Sequence, residues 1–591
     1  MRNLLRILPL LFIATTISAP AQRVSADGSP QTFNFLLDQY FEDYFRLQPT
    51  AATAAGIHTH DAQLEDYSAA AAQKQIVLLR DYDRKFQAID PSALDAPIRA
   101  DREIVLNNIH STLLTLESIR PLEKNPDTYS SSVTNSIFVL MSRNFAPVNS
   151  RLRSAVEREK QIPQVFAEAR RNLKNPAKIS VEIALEQLPG LVSFFQNDVP
   201  TAFAEATDPA TKAAFAKSNA AVIAALNSYQ AWLKSDVLPH ATGDFRIGAD
   251  TFRKKLLYDE MVDIPLDRLV EIDTANMRRN QAEFARVAKL VDPTKTPEQV
   301  LAQLALIHPA PAKLLDAFHD TFASLISFIR TNHIITIPSE VQPALEETPP
   351  FERATTFASM DPPGAFETHS TKAYFNVTLP EKDWTPEHVA EHMASFNVGT
   401  IISTSVHEAY PGHYVQFLWQ SQFPSKVRKI FGANTNIEGW AHYCEQMMLD
   451  AGYAKPGSPS TTGTGTVTER ESNLIRLGQL QDALLRNARF IVGIKMHSGQ
   501  MSTDEAIAFF VKEGYQSRSV GEVETKRGTS DPTYLYYTLG KLEIMKLRDD
   551  YKAKLGPAFT LQKFHDTLML QGFVPIKVAR KAMLGDDSPV L

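Results

Sequence analysis

The sequence predicts a mainly α-helical protein with one small β-sheet, and three observations lead there. Apolar residues recur at three- and four-residue spacing from about Phe33 onward, as a buried helix face requires. Helix-start signals punctuate that pattern, and strand-like runs are confined to two short stretches in the middle of the chain. A length of 591 residues is compatible with about two to four domains or with one large helical fold.

The chain begins Met1-Arg2-Asn3, followed by an apolar run from Leu4 to Ile17 and then Ser18-Ala19-Pro20-Ala21. A basic start, a short apolar stretch and an Ala-x-Ala site read as a signal peptide over residues 1–21, with cleavage after Ala21 or, as second choice, Ala26. No later segment sustains about 18 apolar residues, so no stable membrane insertion is expected after cleavage. The expected location is the periplasm or the cell exterior.

Four segments read as amphipathic helices: Ala69 to Phe86, Ile98 to Ile119, Val148 to Leu173 and Pro265 to Val291. Thr296-Pro297-Glu298-Gln299, Thr385-Pro386-Glu387 and Ser502-Thr503-Asp504-Glu505 supply capping residues followed by an early Pro or acid. Pro239 to Gly248 is a candidate joint between an N-terminal helical region, 30–240, and a catalytic region, 245–591. Ile334 to Ile337 and Ala373 to Thr378 are the best strand candidates, separated by a Pro-rich stretch from Glu346 to Gly364. Gly457 to Thr466 reads as an exposed loop, and no internal repeat is present.

The formal net charge of −6 becomes more negative once Arg2 and Arg6 leave with the signal peptide. That argues against nucleic acid and anionic membrane surfaces as partners. Cys444 is the only cysteine, so no intrachain disulfide is possible and an exported chain of this length depends on its core.

A hydrolytic zinc site needs about three protein ligands, an open position for water and a carboxylate to take that water's proton. His407-Glu408-Ala409-Tyr410-Pro411-Gly412-His413 offers two imidazoles and an adjacent acid, delivered by a run, Gly399 to Val406, that reads as a buried helix. The histidines are six residues apart, whereas HExxH places them four apart on one helical face. On an ideal helix six residues rise about 9 Å and turn about 240° beyond a full turn, so the two rings could not share an ion. Pro411 removes a backbone donor and clashes with the carbonyl at His407, and Gly412 tolerates unusual dihedrals, so a bulge is expected there. Downstream, Glu438, His442 and Glu445 share one face of a predicted helix, and Glu438 lies 25 residues after His413, far enough for that helix to return and offer a third ligand. A solvated helix face for the acids, and a satisfied core position for His442, are the ordinary alternatives.

These motifs resemble the bacterial proteins grouped as domain of unknown function 885. That family shares HEAxPGH, EGWAxYxE and a later Tyr-x-x-Gly-x-x-x-Ile-x-x-Leu-Arg, here His407 to His413, Glu438 to Glu445 and Tyr537 to Arg548. Leu47 to Gly56 and Phe245 to Gly248 extend the likeness through nearly the whole mature chain. The family is in turn similar to helical gluzincin metallopeptidases of the thimet oligopeptidase and angiotensin-converting enzyme type. The resemblance implies a peptidase-like fold around a deep cleft, with the small sheet near the active site. It implies Zn²⁺ held by His407, His413 and Glu438, with Glu408 as general base and Glu445 orienting a ligand imidazole. Tyr537 would donate to the oxyanion, with Tyr534 and Tyr536 as competitors. Tyr374 to Val377 would be the edge strand beside the substrate, and Tyr374, Asn376, His497 and Arg548 would touch it. Departures from the family pattern are Tyr414 in place of a further histidine, Gly493 in place of an aspartate, and Asp361 to Phe366 in place of a Gly-Ser-Arg-Pro-Gly-rich run.

The expected function is therefore a secreted zinc metallopeptidase acting on oligopeptides through a water activated by Glu408. A zinc-dependent amidohydrolase of a non-peptide or modified small molecule is one alternative, and a non-catalytic peptide-binding protein on the same fold is another. The expected partner is a peptide or small amide, and the sequence implies no oligomeric state.

Overall fold

The structure, a computed structural model, describes residues 29–349, 353, 356–382, 384–460 and 465–591. The expected signal peptide with both of its cleavage sites, and part of the loop at 457–466, lie outside the described residues. Helices dominate the rest, with one three-stranded sheet. No described helix is long and apolar enough to cross a membrane.

Local chemistry sets the helix limits. Ser68 caps Ala69–Gln87 by accepting the Ala71 N–H, and Thr296 and Ser502 each form a reciprocal capping box with the residue three positions on. The single helix expected from Val148 to Leu173 is two, Val148–Glu159 and Ile162–Asn172. Pro163 stands in the first turn of the second, where its missing N–H is harmless, and its ring would collide with the Glu159 carbonyl of a continuous helix.

Four apolar clusters fill the described residues, and two of them set the large-scale arrangement. One is built entirely from residues between Leu64 and Ala241. The larger one joins the first helices, Pro30–Leu47, Ala69–Gln87 and Ala96–Leu114, to elements from Met261 through Met583.

The sheet has order β1-β3-β2, with β1 Ala344–Glu347 parallel to β3 Tyr374–Val377, and β2 Ala358–Asp361 antiparallel to it. Phe375 and Val377 are buried, and Phe375 packs on Phe318 and Phe322 of helix Leu314–Thr331. The segment Ile334 to Ile337, expected as a strand, lies in the core without joining the sheet. Its backbone is satisfied by side chains instead: His565 on the Ile334 carbonyl, Asp566 on the Thr336 N–H and Trp419 on the Thr336 carbonyl.

Arg143 ties the Leu64–Ala241 core to the end of β2, donating to the carbonyls of Asp361, Pro362 and Lys372 and pairing with the Asp361 carboxylate at 2.7 Å. Five helices carry the candidate site: the motif helix Val398–Glu408, the short helix His413–Trp419, the acid helix Asn434–Asp450, the long helix Glu469–His497 and the tyrosine helix Tyr536–Leu555. The acid and tyrosine helices touch backbone to backbone, because a Cβ on Gly540 would stand 1.8 Å from the Thr435 carbonyl and one on Gly439 would stand 2.5 Å from Gly540 Cα.

Candidate metal centre

The motif helix ends at Glu408, and a new helix, His413–Trp419, starts at the second histidine. Between them the Tyr410–Pro411 peptide is cis, and the Gly412 N–H folds back onto the Val406 carbonyl at 2.9 Å. A Cβ on Gly412 would lie 1.8 Å from the His407 carbonyl oxygen, so only glycine fits this return. The break expected from the six-residue spacing is thus present, as an interruption of the helix. It brings the two imidazoles together, with ring centres 4.9 Å apart and planes at 87°.

Glu438, in the first turns of the acid helix, closes the group. Its Oε2 lies 3.4 Å from Nε2 of His407 and 3.4 Å from Nε2 of His413, yet it is buried with no hydrogen-bond partner. Two donors that each stand about 2.1 Å from one tetrahedral ion are about 3.4 Å apart, so both Glu438–imidazole spacings are those of donors that could share one metal ion. His407, Glu408 and His413 likewise bring one ligand atom each within 4.8 Å of one another and could hold a metal ion. Of the two acids Glu408 is the less direct, because its Oε1 is 4.0 Å from His407 Nε2 and its Oε2 accepts the Met360 N–H at 3.1 Å. Side-chain exposure of 16% for Glu408 and 23% for Glu438, against 7% for His407 and 0% for Glu445, identifies the carboxylate side as the open one.

Beneath the pair, Glu445 accepts from His407 Nδ1 at 2.7 Å and from His442 Nδ1 at 3.1 Å, and Arg486 lies 3.1 Å from it. A carboxylate on Nδ1 turns Nε2 toward Glu438, the orientation a metal-binding histidine uses. Burial disfavours the charged forms of all three groups, but the partners outweigh it. Arg486 and His442 hold Glu445 well below the usual carboxylate range, His413 and His407 do the same for Glu438, and the flanking Glu438 and Glu445 carboxylates lift His407 to about 9. His413 Nδ1 is buried without a partner, so no described side chain orients that ring.

The tyrosine helix brings Tyr537 against His407, with ring centres 6.3 Å apart and planes at 28°. Its hydroxyl accepts from Arg527 Nη2 at 3.1 Å. Tyr536 instead donates to Asp531, and Tyr534 is fully buried against Gly528 and Gly493.

Other expected substrate residues lie elsewhere. β3 is the central strand, so Tyr374 to Val377 cannot be an edge, and β2 is the strand that reaches Glu408. Tyr374 and Asn376 face a groove lined by Phe138, Met141, Asp198 and Glu346. His497 is a core histidine: Gly528 O is 2.7 Å from its Nε2, Ile247 donates to its Nδ1, and Phe245 and Phe252 flank it. Arg548 lies three helical turns, about 16 Å, beyond Tyr537, where it stacks on Tyr443 and contacts Asp549. Sequence reasoning missed Arg486, Arg489 and Arg527, which surround Tyr537, and the Met360 N–H.

Comparison with known proteins follows the same lines. No curated protein matches the chain. A solved structure described as "a putative lipoprotein of unknown function from Shewanella oneidensis" superposes with a TM-score of 0.77 at 26% identity, covering 93% of this chain and 99% of that one. A second, "the putative lipoprotein from Colwellia psychrerythraea", has a TM-score of 0.77 at 17% identity over 95% and 99% of the two chains, and so shares the fold. Residues 49–583 match the family described as "Bacterial protein of unknown function (DUF885)", and the chain belongs to that family.

Proposed function

We propose that this protein is an exported metal-dependent hydrolase of peptide bonds, related in mechanism to the gluzincin peptidases, with zinc as its ion. The observation that carries the reading is Glu438 Oε2, a buried carboxylate oxygen without a hydrogen bond, equidistant from two imidazole nitrogens. His407, His413 and Glu438 are the residues to hold the ion. Bound there, Zn²⁺ supplies a Lewis acid for a carbonyl and makes a neighbouring water acidic near neutral pH.

Glu408 has one oxygen on the Met360 amide, which fixes the carboxylate and leaves the other to take a proton from the attacking water and pass it to the leaving amine. Tyr537 donates to the oxyanion. Burial and the Glu438 charge keep its phenol protonated, and Arg527 fills an acceptor position on its oxygen, so the O–H is left to donate. Glu445 sets the tautomer and tilt of His407.

The peptide preference rests on β2. The Phe357 carbonyl accepts from Thr378 on the β3 side, so by strand alternation Ala358 and Met360 turn their backbone groups outward, toward Glu408. An extended peptide added to that edge places its backbone beside the base.

Metal analysis of the purified protein should find about one zinc per chain, and mass spectrometry of a digested peptide mixture should show defined products. Glu408→Gln should keep the metal and lower hydrolysis by about 10²- to 10⁴-fold. A fully active variant, or a zinc-loaded protein that cleaves no peptide, overturns the reading.

A further inference from the structure

We propose that the arginine cluster around Tyr537 is a carboxylate-binding subsite in which Arg527 takes the ligand's carboxylate. Three guanidiniums lie over one phenol ring, Arg489 at 5.0 Å, Arg486 at 5.6 Å and Arg527 at 5.8 Å. Gathering three cations beside a centre built to hold another is costly unless anions compensate them. Two of the three are compensated. Arg489 makes a two-point pair with Glu524 at 2.6 and 2.8 Å, and Arg486 pairs with Glu445 at 3.1 Å.

Arg527 differs from both. Its nearest carboxylate oxygen, on Asp531, is 3.6 Å away and already accepts the Tyr536 hydroxyl at 2.8 Å. Its side chain is 38% exposed, against 9% for Arg489 and 12% for Arg486. It is therefore the cation of the group that solvent reaches, and the one whose guanidinium has no close carboxylate of its own. A planar guanidinium with free donors matches a carboxylate in two-point geometry.

The spacing bounds where that carboxylate sits on a substrate. From the His407 ring to the Tyr537 ring is 6.3 Å, and from there to Arg527 Cζ is 5.8 Å; end to end these limit the span to about 12 Å, which about three extended residues cover at ~3.4 Å each. The ligand class is a peptide with a carboxylate, terminal or from an acidic side chain, within about three residues of the bond at the metal centre. The choice of peptide rests on the function proposed above; the carboxylate subsite rests on the arginines alone.

The test uses the zinc-loaded Glu408→Gln protein and one peptide made in three forms: C-terminal acid, C-terminal amide, and an amide ending in aspartate. Calorimetry should show the acid binding about tenfold to a hundredfold more tightly than the plain amide. Arg527→Gln in the same background should bring that ratio close to one, and Arg527→Lys, which keeps the charge, should retain part of it. If the aspartate amide matches the acid, the subsite takes any carboxylate; if it matches the plain amide, the subsite takes the chain terminus. Equal binding of acid and amide, or a ratio that survives Arg527→Gln, overturns the proposal. Binding is read without turnover, so a protein with Glu408 restored that cleaves no peptide, while its variant keeps the ratio, removes the peptidase reading and leaves the carboxylate subsite standing.

Discussion

Glu159 in the N-terminal core and Glu445 beneath the candidate metal centre are both hidden from water, at 0% and 2% exposure. Glu159 has one oxygen on the Ser218 hydroxyl and the other without a partner, and burial pushes its pKa up to about 8. Glu445 has His407, His442 and Arg486 on its two oxygens and stays ionised. Burial is common to both, so the partners decide the charge. The N-terminal core thus carries a neutral acid as a packing group, while the centre carries a fixed negative charge that its surroundings demand.

Three substitutions probe that contrast. Glu445→Gln should have the largest effect: a neutral amide leaves Arg486 buried without its counter-charge, which costs about 3 kcal/mol or more, and loosens His407, which should weaken metal binding about 10- to 100-fold. Denaturant unfolding and metal competition read both, and a variant equal to the parent in each would refute the assigned role.

Glu159→Gln should act in the opposite direction. With a folded pKa of about 8 above an ordinary 4.5, the folded state keeps a proton that the unfolded chain releases. Stability from this group is full below about pH 4.5 and is lost as pH rises through 8. The glutamine cannot ionise, so the variant should gain about 1–3 kcal/mol over the parent at pH 8 relative to pH 5. An unchanged pH slope would mean that Glu159 is charged in the fold.

Glu186→Gln is the smallest probe. It removes a 2.6 Å ion pair with Lys526 whose side chains are 64% and 45% exposed. Water already solvates both ends, so the expected loss is under about 1 kcal/mol. A larger loss would show that this bridge, between helix Lys178–Ser193 and helix Arg518–Ser530, does more than a surface pair.

The helical class was legible in the sequence, and so was the conflict inside the motif. Six residues between His407 and His413 demand a break, and Pro411-Gly412 supplies one through local sterics alone. Tyr537 stood among three close tyrosines, and only their tertiary surroundings separate them: Tyr537 lies against His407, Tyr536 is held by Asp531 and Tyr534 is fully buried. The arginines left no local trace, because Arg486 and Arg489 belong to the long helix and Arg527 to helix Arg518–Ser530; each reads as part of a solvated face until the helices meet. β1 and β2, Ala-Leu-Glu-Glu and Ala-Ser-Met-Asp, lack β-branched and aromatic residues and are strands only because β3 lies between them. Ile334 to Ile337 has the opposite history, strand-like in composition but bound by side chains of two helices, His413–Trp419 and Leu561–Met569.

The contact between Gly439 and Gly540 bears on how such a chain can drift over generations. Glu438 is one residue from it on one helix, and Tyr537 is three residues from it on the other. Inserting a single residue between Tyr537 and Gly540 would swing the phenol by about 100° and shift it by about 1.5 Å, whereas the same insertion in the loop before Tyr534 could be absorbed there. Length changes should therefore collect outside the two short intervals that lead to this crossing, and those intervals should keep their length even where their residues change.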